Sequence, residues 1–257
     1  MKCLLCWISE DTDTHVEGSN MDLTKIRESE RKSHIEMYSN EELYKEGSWL
    51  RKPIKAVLDL LPLFEDYKEL NVLDLGSGVG RNSLAVARHF TQIPCRVECV
   101  DILDLAIEKL GDNAREYGVE ESVYGIVSSI EDFPIEENKY DFILAVSALE
   151  HIDSKESFKQ KLGEIKQGIR EGGVACLIIN SEVRENDKET GENLPPQFEV
   201  NLPTEEMQTL LDPIFEGWEV LKSSVREQQY DIPREDRISH LQTKVVTLIA
   251  RNKFEDK

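Results

Sequence analysis

The sequence predicts an α/β fold in which a mostly parallel β-sheet is covered by helices on both faces. Short apolar segments, typical of buried strands, alternate with segments whose apolar residues recur every three or four positions, as on one face of a helix. A glycine-rich loop at residues 76–80 joins the first of these strands to the next helix. Such alternation is typical of a doubly wound sheet whose strands are joined by crossover helices.

The chain is divided into two parts by its composition. Residues 1–40 are polar and charged, and we predict a partly ordered N-terminal extension with a helix over residues 24–38. Residues 41–257 are assigned to a single domain, because a chain of 257 residues holds one sizeable α/β domain and nothing in its composition requires two.

The elements of the domain follow from periodicity. A helix is predicted from Pro53 to about Pro62, since proline suits the first turn of a helix. Strands are predicted over residues 71–75, 96–100, 122–128, 140–146 and 174–179, and helices over 81–90, 103–114 and 158–169. The charged segment 181–202 is longer than the usual connection of about 4 to 6 residues, and is interpreted equally well as a lid or as a solvated loop. A helix over 204–211, with Thr204 as its N-cap, and strands over 218–225 and 244–251 complete the chain.

Charge and cysteine content exclude several classes of protein. With 31 basic and 51 acidic side chains the formal charge is −20, which disfavours a phosphate backbone and favours a small molecule or a protein side chain as substrate. The five cysteines are an odd number without a disulfide pattern, so we predict a reducing, cytoplasmic location. Cys3 and Cys6 lack the second pair that a zinc site needs, and no metal is predicted. We find no signal peptide and no apolar run long enough to span a membrane.

The glycine loop reads Asp74-Leu-Gly76-Ser77-Gly78-Val-Gly80. Glycine lets the backbone approach a ligand closely, and the dipole of the next helix favours an anionic group. The spacing differs from the Gly-x-Gly-x-x-Gly of dinucleotide sites. Asp101 ends the next predicted strand, about 20 residues or slightly more beyond the loop, where an acid can accept hydrogen bonds from both hydroxyls of a ribose. Alternatively, Asp101 only caps the helix that follows.

The pattern Asp-Leu-Gly-x-Gly-x-Gly resembles the nucleoside loop of class I S-adenosylmethionine-dependent methyltransferases, and Arg81-Asn-Ser extends the similarity to the tellurite-resistance type of small-molecule methyltransferase. The resemblance implies a Rossmann-like, seven-stranded sheet, mostly parallel with an antiparallel C-terminal strand, and S-adenosylmethionine as cofactor. It also implies a set of cofactor-binding residues around the loop and the ribose: Asp74, Gly76, Ser77, Gly78, Arg81, Asp101 and Ile102.

The resemblance continues through two further segments. Residues 126–134 are similar to the segment that lies against adenine, with Ser129 in the place of an acid; its hydroxyl would accept from the adenine amino group and the Ile130 N–H would donate to a ring nitrogen, unless the segment is a solvated turn. Residues 141–152 are similar to the fourth strand, so Val146 and the residues after it should border the active site. Arg51 is a candidate partner for the methionyl carboxylate, with surface solvation as the alternative.

Methyl transfer is an in-line displacement to which positioning and desolvation contribute most. His151 is the candidate general base if the acceptor must lose a proton, and otherwise packs locally; Glu150 is a candidate substrate ligand or a helix N-terminal acid. Between the last two predicted strands, Tyr230, Arg234 and His240 belong either to an acceptor pocket or to a solvated hairpin loop.

The sequence thus predicts a methyltransferase that acts on a small-molecule acceptor. Two alternatives stay open. An aminopropyl transferase would use the same nucleoside pocket and would need acidic groups to hold a polyamine. A non-catalytic protein would bind S-adenosylmethionine without turnover.

Overall fold

The computed structural model describes residues 19–234 and 237–253, and within these ranges eight strands form one sheet. The strands are β1 (Leu70–Leu75), β2 (Cys95–Asp101), β3 (Val123–Val127), β4 (Tyr140–Val146), β5 (Ile169–Asp187), β6 (Asn193–Leu194), β7 (Glu219–Pro233) and β8 (Ile238–Arg251). The helices are α1 (Ser19–Asn40), α2 (Lys55–Leu58), α3 (Ser83–His89), α4 (Asp104–Glu116), α5 (Lys155–Gly168) and α6 (Thr204–Ile214). None of these helices is both long and apolar enough to cross a membrane.

The order of the strands confirms the predicted Rossmann-like sheet. It is β3-β2-β1-β4-β5-β8-β7, with the short β6 paired to β5 outside this path. Strands β1 to β5 are parallel, whereas β8 runs antiparallel to both of its neighbours, β5 and β7. The chain order changes direction between β1 and β4, and a sheet of this kind opens a crevice at the carboxyl ends of the strands on either side of that point.

Both faces of the central strands are buried, which explains their continuous apolar sequence. On one face, Val72 and Phe142 pack with residues of α2, α3 and α4. On the other, Leu73 and Ile143 pack with residues of α5 and α6. These two layers fix the strand ends that carry the site.

Several predicted boundaries were wrong. The predicted helix from Pro53 consists of the single turn α2 followed by a 3₁₀ turn at Leu61–Phe64. Thr204 is the first residue of α6, and the N-cap is Pro203. Residues 181–187, 226–233 and 238–243 were predicted as loops, but they continue β5, β7 and β8 as an extended arm of the sheet. The β7 part of this arm is exposed, and the β5 and β8 parts include buried polar residues, so no apolar run in the sequence indicated the strands.

The N-terminal extension contributes a long helix. Residues 19–40 form α1, longer than the predicted 24–38, and Tyr38 near its end is buried in the core. The pair Cys3 and Cys6 lies outside the described residues.

The extended arm is held by a buried ion pair. Arg234, from the turn of the β7–β8 hairpin, donates from Nε and Nη2 to the two carboxylate oxygens of Glu185 on β5, at 3.1 and 3.2 Å. The two side chains are only 8% and 2% exposed. Nη1 of Arg234 also donates to Ser33 of α1 at 3.3 Å, so the arm contacts the N-terminal helix.

We predict that Arg234→Met lowers the free energy of unfolding by about 3 to 5 kcal/mol, because it leaves the Glu185 carboxylate buried without its cation. The matched control, Lys188→Met, removes the exposed partner of Asp231 on the same arm and should leave the free energy of unfolding unchanged. Urea unfolding of both variants measures this difference. Equal stability of the two variants would contradict a structural role for the buried pair.

Candidate active site

A cavity of about 350 Å³ lies at the carboxyl ends of β1, β2 and β4, where Gly76, Asp101 and Ser147 border it. Its volume falls within the range of about 300 to 1,000 Å³ that is usual for small-molecule sites. Helix α1 contributes His34 and Tyr38 to the lining, so the N-terminal helix covers the crevice.

Two glycines of the loop are required by close approach. Gly76 has a φ of +73°, and a Cβ at this position would lie 2.3 Å from the Cβ of Ala148. Gly78 has a φ of +53°, and a Cβ there would lie 2.6 Å from the hydroxyl of Tyr38. Any side chain would strain the backbone and push away the end of β4 or α1. Glycine is therefore needed at both positions so that Ala148 and Tyr38 can pack directly against the loop, which we call the glycine cradle.

The N–H groups of the loop are used inside the protein. Those of Gly76 and Ser77 donate to the Val100 carbonyl at 2.8 and 3.0 Å, and that of Gly78 donates to Oδ2 of Asp101 at 2.8 Å. Of these three loop residues, Gly76 is the one that lines the cavity. Gly76 thus borders the cavity without a side chain, while the N–H groups of the loop hold it against β2.

Asp74 supports the loop from behind. Its carboxylate is buried and accepts a hydrogen bond from Ser83 on α3. Burial raises the pKa of Asp74 to about 7, although the bond from Ser83 opposes the shift. The neighbouring Asn82 accepts from the N–H of Ile54 at 3.0 Å. The Asn-Ser part of the motif therefore ties the loop to the two helices beside it.

Asp101 holds the chain just before α4, which is one of the two roles predicted for it, and ribose binding stays a prediction. Its Oδ1 accepts from the N–H of Leu103 at 2.9 Å at the start of α4, and its Oδ2 accepts from Gly78. The residue also borders the cavity, next to Ile102. Burial raises the pKa of Asp101, and the bonds from Leu103 and Gly78 oppose this shift. A carboxylate has about four acceptor positions, so these two bonds leave capacity for hydroxyl donors of a ligand.

The segment after β3 forms a second wall, with Ser129, Ile130 and Glu131 on the cavity. The Ser129 hydroxyl donates to Oδ2 of Asp132 at 2.8 Å and accepts from the N–H of Asp132 at 3.2 Å. It therefore closes its own turn, while the Ile130 side chain lies close to the glycine cradle.

The end of β4 is backbone-strained where it meets the cavity. Ser147 has a φ of +50°, a conformation that residues other than glycine seldom adopt, and its N–H donates to the Ile178 carbonyl at 2.8 Å. Val146 is buried just before it, and Ala148 packs against the glycine cradle. After Ser147 the chain forms the 3₁₀ turn Leu149–His151, and His151 at the end of this turn lines the cavity.

The segment between β6 and α6 returns to the site and supplies a residue that the sequence did not single out. Glu199 lies with Oε2 3.0 Å from Nδ1 of His151, and Phe198 stacks on the imidazole at 5.0 Å between ring centroids. Arg27 of α1 donates to Glu199 at 3.4 Å and to Glu131 at 2.6 Å. The sequence did contain one indication of Glu199, because this residue lies in the segment 181–202 that was interpreted as either a lid or a solvated loop.

Residues 72–173 match a family model described as a methyltransferase domain. The strand order and the glycine loop agree with this match. Residues 72–173, which are less than half of the chain, are thus similar to a methyltransferase domain, and they lie in a Rossmann-like sheet.

The known proteins that match this chain are distant in sequence. Ajmaline N-methyltransferase from Rauvolfia serpentina is 27% identical over 132 residues, which are 51% of this chain and 43% of the relative. The chain thus spans less than half the length of that relative. Among solved structures, 1,6-didemethyltoxoflavin-N1-methyltransferase from Burkholderia thailandensis shares 16% identity, 90% coverage of both chains and a TM-score of 0.53. The 4+2 cyclase SpnF shares 15% identity over 89% of this chain and 96% of its own, with a TM-score of 0.55.

Glu150 supports the candidate site without lining the cavity. It is fully buried, and its Oε1 accepts from the N–H and the side-chain amide of Asn180 on β5. Burial raises the pKa of its carboxyl group. Its carbonyl accepts from the N–H of Val200 at 2.9 Å, which anchors the segment that carries Glu199.

Besides Asp74, Ser77, Gly78, Val146 and Glu150, which lie near residues of the cavity lining, five further predicted site residues are not part of that lining: Arg51, Arg81, Tyr230, Arg234 and His240. Arg51 is exposed in a turn before α2, and the guanidinium of Arg81 lies 5.1 Å above the ring of Trp49. The other three residues lie in the β7–β8 hairpin, where His240 contacts Asp231 at 2.9 Å. Their roles in binding stay predictions.

We predict that Asp74→Asn makes the domain less sensitive to pH. Since the folded chain holds the Asp74 proton up to about pH 7 and the unfolded chain loses it near 3.8, this group lowers the free energy of unfolding as pH rises between those values. The stability of the variant relative to the wild type should be greater at pH 8 than at pH 5 by about 2 kcal/mol.

Urea unfolding at the two pH values measures this effect, with the exposed Asp66→Asn as the matched control. The control should show the same relative stability at both pH values. A pH-independent difference between Asp74→Asn and the wild type would contradict the raised pKa.

Proposed function

We propose that this protein transfers a methyl group from S-adenosylmethionine to a small-molecule acceptor. The observation that carries the proposal is the cavity at the carboxyl ends of β1, β2 and β4, where the cradle at Gly76 meets the carboxylate of Asp101. Gly76 borders this cavity without a side chain, and Asp101 retains acceptor capacity beside it, so the residues present fit an adenosyl group.

When bound, S-adenosylmethionine supplies a methyl carbon on a positively charged sulfur, an electrophile with a neutral leaving group. The residues of this chain bind and orient. Asp101 would accept from the ribose hydroxyls, Gly76 would admit the backbone of the methionyl part, and Ile130 would pack beside the adenine. Helix α1 and the segment carrying Glu199 cover the site and exclude water, which favours the displacement.

The acceptor is proposed to be small because α1 and the segment around Glu199 close over the cavity. The formal charge of −20 makes a nucleic acid an unfavourable partner. Two of the similar proteins are named for methylation of nitrogen, so amines are the first acceptors to test. A cytoplasmic location belongs to the same proposal; the free thiols of Cys95, Cys99 and Cys176 are all buried, as in proteins of reducing compartments.

The alternatives differ in what they need from the cavity. An aminopropyl transferase needs acidic groups for a polyamine, but Glu131 and Glu199 are both paired with Arg27, which disfavours that function. A non-catalytic protein would bind the cofactor without methyl transfer, and SpnF, which is named as a cyclase, shows that a protein of similar fold can be named for a different reaction. Binding and turnover therefore have to be measured separately.

We predict that the wild type binds both S-adenosylmethionine and S-adenosylhomocysteine in a calorimetric titration, and that Asp101→Asn weakens both affinities by about 10- to 100-fold. The reason is the loss of charge-assisted hydrogen bonds to the ribose hydroxyls. The matched control, Asp112→Asn on the exposed face of α4, should bind like the wild type.

Turnover is measured with methyl-tritiated S-adenosylmethionine and a panel of amines and phenols. Absence of binding to both compounds, or full affinity in Asp101→Asn, would exclude the proposed cofactor site. Binding without transfer to any acceptor would favour the non-catalytic alternative.

A further inference from the structure

Glu199 is a buried acid that lines the cavity beside His151, and the proposed cofactor site does not require it. Its side chain is 3% exposed, and it reaches the site from the segment between β6 and α6. Its two oxygens contact two elements, with Oε1 on Arg27 of α1 and Oε2 on His151 at the end of β4. A buried carboxylate is stabilised by such partners, and this one is placed to act on an imidazole.

The contact determines which nitrogen of His151 carries the hydrogen. A carboxylate only accepts hydrogen bonds, so Nδ1 must be the donor toward Glu199, and in the neutral ring Nε2 is then the basic nitrogen. The stack with Phe198, at 24° between the rings, fixes the plane of the imidazole. His34 of α1 contacts its edge at 6.5 Å between centroids. The ring is thereby held in one orientation beside the cavity.

We propose that Glu199 positions His151 as a general base, and that the acceptor is a compound whose nucleophilic atom is an N–H or O–H group. The proposal rests on the proposed methyltransferase function. The acceptor's electron pair forms the bond to the methyl carbon, the carbon–sulfur bond breaks with its electrons kept by sulfur, and the acceptor proton ends on Nε2 of His151. Glu199 then faces an imidazolium, whose charge it stabilises.

Arg27 makes this arrangement compatible with burial. In the resting site its single positive charge contacts the carboxylates of both Glu199 and Glu131, so a formal charge of −1 remains, which an imidazolium at His151 would compensate. Because Arg27 lies on α1, the orientation of Glu199 and His151 depends on the position of this helix beside the cavity. Glu199 acts through His151 and is therefore a positioning residue.

The first experiment observes the imidazole directly. Correlation spectra of ¹⁵N-labelled protein distinguish the two tautomers of neutral histidine, and the chain has five histidines, of which His151 is assigned by its absence in His151→Gln. We expect the wild type to hold the hydrogen on Nδ1, and Glu199→Gln to lose that preference because an amide both donates and accepts. The matched control, Glu189→Gln in the exposed turn after β5, should leave the spectrum unchanged.

The second experiment measures turnover with matched acceptors, pyrrolidine and phenol against N-methylpyrrolidine, which has no proton to lose. We expect Glu199→Gln and His151→Gln to lower kcat for the proton-bearing acceptors by at least about 10-fold while the affinity for S-adenosylmethionine stays within about 2-fold of the wild type. Preferential methylation of N-methylpyrrolidine by the wild type would overturn the acceptor class.

Failure of the inference is distinguishable from failure of the proposed function. A wild type that binds neither S-adenosylmethionine nor S-adenosylhomocysteine removes the function itself. Binding and turnover that persist in Glu199→Gln, with an unchanged His151 tautomer, overturn the role of Glu199 alone. The tautomer measurement needs no acceptor, so it decides that role even when none of the three probes is methylated.

Discussion

The rest of the site depends on the hydrogen bonds that hold the glycine loop to the end of β2. The Val100 carbonyl and the Asp101 carboxylate accept the N–H groups of Gly76, Ser77 and Gly78, so the loop has one shape before any ligand is present. That shape lets Gly76 face the cavity and brings Asp101 to its rim. The positive φ angles required here are ones that glycine adopts without strain.

Closure of the cavity comes from elements outside the parallel strands. Arg27 connects α1 to the wall after β3 and to the segment before α6, while Arg234 connects the extended arm of the sheet to the same helix through Ser33. Long strands that carry a buried ion pair thus contact the helix that covers the site. An ion pair of this kind fixes geometry more than it adds stability, because both charges are desolvated.

Three buried carboxyl groups at or near the cavity share one electrostatic property. Burial raises the pKa values of Asp74, Asp101 and Glu150, each of which is also held by local hydrogen-bond donors. These groups oppose folding when they ionise, so the site is maintained at a cost in stability that the two apolar layers of the core offset. Such concentration of perturbed carboxyl groups is typical of functional sites.

Local patterns in the sequence determined the core of the sheet, the glycine loop and the acid at Asp101, because each of these depends on residues close to one another in the chain. The sequence did not reveal the extended arm, whose strands have no apolar run, or the contact between His151 and Glu199, which are 48 residues apart. Arg27 and Glu199 are separated by 172 residues. Only the tertiary structure brings these side chains together, since the position of a return segment is set by packing and long-range hydrogen bonds and not by local propensity.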